Sequence, residues 1–413
     1  MTEVEQMAFN AKNAATVLRT AAAGVRADAL NRMAVKLIEC REELLQANAA
    51  DLADASNLSE SFQKRLKVDE KVFNYMVKRL HEAAALPDPV GRIIEERIMP
   101  NELAVKRVAV PIGVLAMIYE ARPNVTTDAA AVAVKSGNAV ILKGGSESLR
   151  TNLILAKAMR SAAVEAGLPA DVIQLVPTAD RNAVAELLKQ DKYIDLIIPR
   201  GGKSLIQAIT EGTRIPVLKH YDGICHLYIA EDADIDMAVK LVVNSKCQNT
   251  AVCNALETLL IDSAVSNEML LRIAAALREK NVEIRGCEKF RSVIKDCVPA
   301  VEADWDAEYL GSILAVRMVD GIDEAMAHIA VHGSGHTDGI ITSSDQLAAK
   351  FIAKVDSASV LVNASTRISG GGDYGMGAVV GISTDKLHAR GPVGPAELCT
   401  YKWVAVGNGT LRD

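Results

Sequence analysis

The sequence is poor in aromatic residues, has no run of basic residues and has no apolar stretch long enough to cross a membrane. Aromatic side chains make up only 4% of the 413 residues, and 46 Lys and Arg are outnumbered by 52 Asp and Glu. The longest apolar stretch, residues 108–119, is too short to span a bilayer and contains Pro111. We therefore expect neither a nucleic-acid partner nor a membrane location.

Cysteine is present, but its pattern does not indicate disulfides. The seven cysteines are odd in number and irregularly spaced, and the segment MTEVEQMAFNAKNAA has neither the basic nor the apolar region of a secretory signal. We therefore expect a reducing compartment, the cytoplasm, with cysteines present as thiols. This expectation weighs against a disulfide between Cys247 and Cys253.

The length and the order of apolar segments predict an α/β protein of two or three domains. Residues 2–85 show the apolar spacing of helices. Two partly alternating segments predict a β-hairpin over 92–108 that leaves the domain body. Strands and helices alternate from 113 to 230 and again afterwards, so we expect a doubly wound, mostly parallel sheet. A last strand is predicted near 398–407.

No G-x-G-x-x-G fingerprint follows the first predicted strand of residues 113–230, so dinucleotide binding must depend on other segments. The glycines of SGGGDYGMGAVVG lack a preceding strand and predict a flexible loop. ILKGGSES places Lys143 at a strand end, within reach of a ribose or phosphate, and Ser146 at a helix N-cap. A solvated lysine and a capping serine explain that segment equally well. In IIPRGGKS, Gly201 and Gly202 would let the backbone approach a diphosphate before a helix N-terminus, a weak signal by itself.

Three histidines spaced by four residues, in HIAVHGSGHTDG, raise the question of a metal site. His328, His332 and His336 would form a ligand row on one continuous helix. Gly333 and Gly335 interrupt that helix, and no cysteine or carboxylate completes a known pattern. We expect no metal and interpret the segment as polar residues that line a pocket for an anionic ligand.

The two cysteines of SKCQNTAVCNALETLLID, residues 245–262, allow several interpretations. A C-x5-C pair without a second pair is a poor zinc site, and buried structural cysteines fit the local sequence as well as catalysis does. Cys253 lies between a polar loop and a predicted strand, an edge that can expose a thiol beside backbone N–H groups. Cys247 lies nearer the end of the preceding helix, where no such role is evident.

Six segments follow one another along the chain in this order: ARPN, SGNAVILKGG, AGLPADVIQLV, DLIIPRGGKS, CQNTAVCNALETLLI and AEYLGSILAV. On these segments the chain resembles the aldehyde dehydrogenase superfamily over nearly its whole length. Within it, EARPNVTTDAA, AMAHIAVHGSGHTDGI, VNASTR and ISTDKLHARGPVG are similar to the branch that reduces L-glutamate 5-phosphate. This resemblance implies an NADPH-dependent reduction of that acyl phosphate to L-glutamate 5-semialdehyde and phosphate. The reaction would pass through a cysteinyl thioester, as the second step of proline synthesis from glutamate.

The resemblance also implies the domain division and the partners. Residues 1–230 would bind NADPH and carry the hairpin arm, 231–375 would form the catalytic domain, and 376–413 would return and supply an oligomerisation strand. A homo-oligomer is therefore expected. The kinase that makes the labile acyl phosphate, glutamate 5-kinase, is a further expected partner.

Site residues follow from the same resemblance, position by position. Cys253 falls where the superfamily keeps its nucleophile, and Asn124 falls near its oxyanion-holding asparagine, with a shorter local spacing. Lys143 falls where a lysine contacts the adenosine ribose. NAD-preferring members often carry a glutamate where this chain has Ser146, and a neutral residue there should tolerate a 2′-phosphate. Glu308 falls on the glutamate that holds the nicotinamide ribose.

The substrate carries two anionic ends, so cationic and polar partners are expected. An arginine fork suits a carboxylate or a phosphate. The candidates for substrate binding are Arg122, His332, Ser334, His336 and Arg367. A structural role, such as a salt bridge, explains each of them equally well.

One departure from the superfamily separates the rival functions. Hydrolytic members carry an ELGG glutamate that activates water, whereas the matching region here is PVLKHYDGICH, without that acid. This absence argues against an ordinary aldehyde oxidiser and agrees with an acyl-phosphate reductase. A CoA-acylating aldehyde dehydrogenase also lacks the base, but the HGSGHT and NASTR segments argue against it. A non-enzymatic binding partner for the kinase is the remaining alternative. Retention of Cys253, Asn124, Lys143 and Glu308 together makes it the weaker one.

Overall fold

The computed structural model describes residues 1–412, with only the backbone for residues 60 and 61. The helices are α1 Glu3–Leu18, α2 Ala23–Glu39, α3 Arg41–Asp54, α4 Glu60–Leu66, α5 Glu70–Ala85, α6 Asn124–Lys135, α7 Leu149–Glu165, α8 Asn182–Leu187, α9 Lys203–Gly212, α10 Ile235–Cys247, α11 Asn267–Glu279, α12 Glu288–Val293, α13 Ile322–His332 and α14 Asp345–Lys354.

The strands follow the same order along the chain. They are β1 Ile93–Ile98, β2 Ala104–Pro111, β3 Val114–Tyr119, β4 Ala139–Lys143, β5 Ile173–Leu175, β6 Leu196–Arg200, β7 Cys225–Ile229, β8 Leu256–Asp262, β9 Glu283–Gly286, β10 Val298–Pro299, β11 Ile313–Val319, β12 Thr337–Ile341, β13 Ser359–Val362, β14 Ile382–Ser383, β15 Gly391–Pro392 and β16 Cys399–Val406. No helix in this described part of the chain is both long and apolar enough to span a bilayer.

The chain divides into two compact units. The first unit comprises residues 1–219, 375–381 and 387–413, and the second comprises 220–374 and 382–386. The predicted assignment of cofactor-binding, catalytic and oligomerisation roles to parts of the chain stays a prediction.

The first unit contains a parallel sheet in the order β5-β4-β3-β6. Strand β3 is buried on both faces because its side chains alternate between two apolar cores. Leu115 and Met117 pack with the core of α2, α5, α6 and α7, whereas Ala116 and Ile118 pack with that of α1 and α8. The predicted doubly wound parallel architecture is confirmed.

A separate antiparallel sheet in the first unit has the order β1-β2-β16. The hairpin and the C-terminal strand predicted from the sequence are its three members. Trp403 and Tyr401 of β16 are about half exposed, and the Arg107 guanidinium of β2 lies 4.6 Å from the Tyr401 ring centroid. The role of this sheet as an oligomerisation arm stays a prediction.

The second unit contains a parallel sheet of seven strands in the order β10-β9-β11-β8-β7-β12-β13. Its central strands alternate in the same way: Leu259 and Ile261 of β8 pack in the core of α10 and α11, and Leu260 packs in the core of α13. Because all seven strands are parallel, the loops entering β11, β8, β7 and β12 lie side by side at one edge. That edge carries the candidate catalytic thiol.

Candidate active site

Cys253 lies in the loop between α10 and β8, at the amino end of a completely buried central strand. Its side chain is partly exposed. The loop is held against Gly223, which precedes the neighbouring strand β7. A Cβ on Gly223 would lie 2.0 Å from the Cys253 carbonyl oxygen and 2.6 Å from its Cα. Only glycine fits there, so this close contact fixes the backbone from which the thiol projects.

Two imidazoles surround the thiol. One ring nitrogen of His220, one of His336 and the Cys253 Sγ all lie within 4.8 Å of one another. The two rings meet edge to face, with their centroids 5.6 Å apart. His220 is partly exposed before β7, whereas His336 is almost completely buried before β12. The cluster therefore joins three neighbouring strands of the second sheet.

Hydrogen bonds determine the tautomers of both rings. His220 Nδ1 lies 2.9 Å from the Ile382 carbonyl oxygen, which can only accept, so this nitrogen carries the proton. His336 Nδ1 lies 2.8 Å from Thr337 Oγ1, and that hydroxyl donates its proton to Ser369 Oγ at 2.8 Å. His336 Nδ1 must therefore donate to Thr337. In both rings Nε2 is therefore the nitrogen left for another partner.

Burial keeps His336 neutral. It lowers the pKa of this imidazole to about 4, although the carboxylates of Asp338 and Glu308 act in the opposite direction. Its Nε2 is buried and has no hydrogen-bond partner among the described residues. A buried acceptor without a partner is costly, so this nitrogen marks a position where a ligand atom would be stabilising.

The other two cysteines near this edge differ from Cys253. Cys225 is completely buried, its thiol donates to the Cys253 carbonyl oxygen at 3.2 Å, and burial raises its pKa well above the ordinary value. Cys247 ends α10, as the sequence predicted, and burial raises its pKa as well. All seven cysteines lie in the described part of the chain and are thiols rather than disulfides.

Arg367 lies within electrostatic range of the Cys253 thiol. Partial burial lowers the pKa of its guanidinium, and the thiolate of Cys253 acts against that shift. Its Nε donates to Gln248 Oε1 at 3.0 Å, and its backbone carbonyl accepts from Asn254 at 3.3 Å. These contacts connect Arg367 to the residues on both sides of the cysteine loop and place a cation near the thiol.

Glu308 lies in the loop that enters β11, beside β8 in the sheet. Its carboxylate accepts from the Gly223 N–H at 2.9 Å, so the same glycine contacts both Glu308 and Cys253. A second hydrogen bond holds the backbone of this loop: Leu310, which has a φ of 49°, donates its N–H to the carboxylate of the buried Glu257 at 3.2 Å.

The structure separates the histidines of the four-residue spacing. His332 stacks on His328 on α13 at 4.5 Å between centroids and bonds to Asp306 at 2.8 Å. Only His336, beyond the end of that helix, joins Cys253. Ser334 Oγ accepts from the Ile224 N–H at 3.0 Å, so its hydroxyl holds the loop before β7.

In the first unit, Lys143 ends β4 as predicted, with its side chain almost completely buried. Burial lowers the pKa of its ammonium group, which donates to the Gly144 carbonyl at 2.9 Å. The N-cap prediction for Ser146 is wrong: a 3₁₀ turn covers residues 146–148, and α7 begins only at Leu149. The adjacent Glu147 explains the turn, because its carboxylate folds back to accept from the Ala121 N–H at 2.7 Å.

The other predicted residues of the first unit follow its neighbouring strands. Gly201 and Gly202 separate β6 from α9, where the Gly202 N–H donates to the Glu120 carboxylate at 3.1 Å. Asn124 begins α6 and donates its amide to Asp128 at 3.1 Å. Arg122 lies just before that helix and is partly buried.

Sequence reasoning missed three residues that this geometry makes prominent. His220 and Cys225 stand in PVLKHYDGICH, the segment that lacks the acid, and Asp128 stands in EARPNVTTDAA, but no role follows for any of them from the sequence. Asp128 is buried, and burial raises its pKa to about 6, while Arg79 acts in the opposite direction. A signal for His220 was available, because it stands in the segment that matches the hydrolytic glutamate.

Comparison with known proteins is consistent across sequence and structure. Residues 1–286 match the model of the aldehyde dehydrogenase family. The chain is 46% identical to the gamma-glutamyl phosphate reductase of Nautilia profundicola, over 97% of this chain and 98% of that protein. It is also 46% identical to the one of Moorella thermoacetica, over 100% and 99%. The crystal structure of the Thermotoga maritima gamma-glutamyl phosphate reductase superposes with a TM-score of 0.97 at 40% identity, covering both chains completely.

Proposed function

Because this chain belongs to the aldehyde dehydrogenase family and, within it, to the gamma-glutamyl phosphate reductases, we propose that it reduces L-glutamate 5-phosphate to L-glutamate 5-semialdehyde and releases phosphate. The reaction is the second step of proline synthesis from glutamate. The observation that carries the mechanism is the partly exposed Cys253 thiol clustered with the imidazoles of His220 and His336. NADPH is the proposed reductant, the cytoplasm the proposed location, and a homo-oligomer the proposed state.

The Cys253 thiolate attacks the carbonyl carbon of the acyl phosphate. His220 is the proposed base for the thiol proton, because one of its ring nitrogens lies within 4.8 Å of the Cys253 Sγ and its Nδ1 is engaged by Ile382. His336 is a poor base near neutral pH, because burial lowers its pKa to about 4. Phosphate leaves with the electron pair of the broken C–O bond, and a thioester remains.

The backbone N–H of Cys253 is the proposed oxyanion donor within the second unit. Asn124 is the proposed second donor, as the resemblance implies. The oxyanion forms twice, in thioester formation and in the thiohemiacetal. Since phosphate is a good leaving group, neither step needs a strong general acid.

The residues fit a nicotinamide dinucleotide by the chemistry of their donors. In the first unit, Lys143 offers a buried ammonium group at the carboxyl end of β4, and Gly202 offers a helix N-terminus after β6. Ser146 is the proposed neighbour of the 2′-phosphate. In the second unit, the Glu308 carboxylate is the proposed partner of the nicotinamide ribose. When bound, the cofactor supplies hydride to the thioester carbon.

Cations and polar groups near the thiol are proposed to bind the anionic substrate. Arg367 is the strongest candidate, because its guanidinium lies in electrostatic range of Cys253. Arg122 stays a candidate on sequence grounds. The contacts of His332 with Asp306 and of Ser334 with Ile224 favour structural roles for both.

The reverse reaction tests the proposal. Purified enzyme receives glutamate 5-semialdehyde, NADP and phosphate, and absorbance of the reduced cofactor is followed. Activity should require phosphate and should be lost in Cys253→Ala but retained in Cys247→Ala. Reduction without phosphate would identify an aldehyde oxidiser instead, and an active Cys253→Ala variant would remove the assigned nucleophile.

A further inference from the structure

The cluster around Cys253 has the composition of a soft-metal site. It combines one sulfur and two imidazole nitrogens, ligand types that bind Zn²⁺ in preference to Mg²⁺ or Ca²⁺. It is distinct from the four-residue histidine spacing of the sequence, since only His336 belongs to both. Its ligands come from three separate loops, so no linear motif contains it.

The lone pairs needed for coordination are available. The Ile382 carbonyl holds the proton of His220 on Nδ1, and the Thr337 and Ser369 hydroxyls hold that of His336 on Nδ1. Each ring is thus bonded through Nδ1, which leaves Nε2 as the nitrogen that can coordinate, and bonding of the opposite nitrogen is the usual second-shell support of a metal-bound histidine. The buried His336 Nε2 has no protein partner within the described residues. This orphaned acceptor is an independent indication that the cluster is shaped for a ligand.

The spacing requires only a small contraction. Zn–N bonds of about 2.0–2.1 Å and Zn–S bonds of about 2.3 Å place tetrahedral ligand atoms roughly 3.3–3.6 Å apart. The three atoms already lie within 4.8 Å of one another, so each pair has to close by about 1.5 Å at most. His220 and Cys253 are partly exposed, which leaves their side chains room to move. The carboxylates of Asp338 and Glu308 act electrostatically on His336 and favour a cation, whereas Arg367 near Cys253 opposes one.

We propose that Zn²⁺ binds Cys253, His220 and His336 and thereby reversibly blocks the nucleophile. Binding replaces the S–H bond of Cys253 with an S–Zn bond, releases one proton to solvent and leaves the fourth coordination position to water. No oxidant or reductant is involved. The inhibitory consequence depends on the proposed function, whereas the site itself does not.

Cobalt(II) provides a readout that is independent of turnover, because Co²⁺ bound to a thiolate absorbs in the near ultraviolet. Reduced, metal-free protein is titrated with Co²⁺, and Zn²⁺ affinity is measured by displacement. The wild type and Cys247→Ser, a partly exposed cysteine outside the cluster, should both show the band. Cys253→Ala should lose it. His220→Ala and His336→Ala should each weaken Zn²⁺ binding by about 100-fold or more, because loss of a ligand's supporting partner alone costs about 10–100-fold. Mg²⁺ should not displace cobalt.

The proposal is overturned if the wild type shows no thiolate band, if Cys253→Ala keeps it, or if both histidine variants bind as tightly as the wild type. His336→Ala tests a buried position, so circular dichroism of each variant is recorded first, and His220→Ala covers the case in which it does not fold. Phosphate-dependent activity of the metal-free wild type is measured beforehand. A failure of the proposed function is therefore seen before any metal is added, and the cobalt band still decides the site.

Discussion

Lys246 and Glu257 form an ion pair that is completely buried in the unit carrying Cys253. Their charged groups lie 2.6 Å apart, and both side chains are 0% exposed. Burial raises the pKa of Glu257 to about 7 and lowers that of Lys246, each shift being opposed by the partner. Glu257 also accepts the N–H of Leu310, two residues after Glu308. The pair therefore supports the loop to which a cofactor contact is assigned.

Removing one partner leaves the other buried without compensation. Lys246→Met should lower the free energy of unfolding by about 3–5 kcal/mol. For a urea m-value of about 2 kcal/mol/M, the midpoint should fall by roughly 2 M. The double variant with Glu257→Leu should recover most of this loss and retain a cost of about 1–2 kcal/mol, because the Leu310 N–H has lost its acceptor.

The loss should also depend on pH in a defined direction. In Lys246→Met, the carboxyl of Glu257 loses its cation, so its pKa in the folded state rises further above the unfolded value. The folded state then holds a proton that the unfolded state has released, and stability falls as pH rises. The slope is about 1.4 kcal/mol per pH unit and continues above pH 7 up to the new folded pKa.

Urea unfolding followed by fluorescence measures these effects, since Trp305 is buried in the same unit. Arg272→Met is the matched control: it breaks an exposed ion pair with Asp236 and should cost less than about 1 kcal/mol. If Lys246→Met costs no more than this control, or if the double variant is less stable than either single variant, the reasoning is refuted.

Three further predictions concern the site. Asp128→Asn should stabilise the protein at pH 7 by up to about 3 kcal/mol and change its stability little below pH 4. Burial raises the pKa of this carboxyl from 3.8 to about 6, so the folded wild type loses stability as pH rises between those values. Equal urea midpoints of variant and wild type at pH 7 would contradict this. Gly223→Ala should reduce kcat by about 100-fold or more, because its Cβ would lie 2.0 Å from the Cys253 carbonyl, whereas Gly24→Ala, with nothing within 4 Å, should be neutral. Arg367→Ala should raise the KM for the acyl phosphate about 10-fold or more while Arg367→Lys restores part of it, and an unchanged KM would show that the guanidinium does not contact substrate.

Local pattern was sufficient to predict most elements of the fold. All six residues of β3 are buried, so the strand is a continuous apolar run, and the buried residues of α13 recur at helical spacing. Both patterns extend over several consecutive residues and can therefore be recognised in the sequence. The start of α7 could not be predicted in this way. It depends on Glu147, whose carboxylate turns back to a backbone N–H donor 26 residues earlier in the chain.

The family, the parallel α/β class and the candidacy of Cys253 follow from residue types and their order along the chain. Which side chains accompany that thiol depends on how the chain folds. Parallel strands β8, β7 and β12 bring their amino ends to one edge of the sheet, and so Cys253, His220 and His336 meet although 33 and 83 residues separate Cys253 from them. The His220 ring is oriented by a hydrogen bond to the distant Ile382, and the His336 ring by the adjacent Thr337, whose hydroxyl is held in turn by Ser369. Such contacts leave no periodic trace in the sequence, because each is a single pairing that only the folded chain brings together.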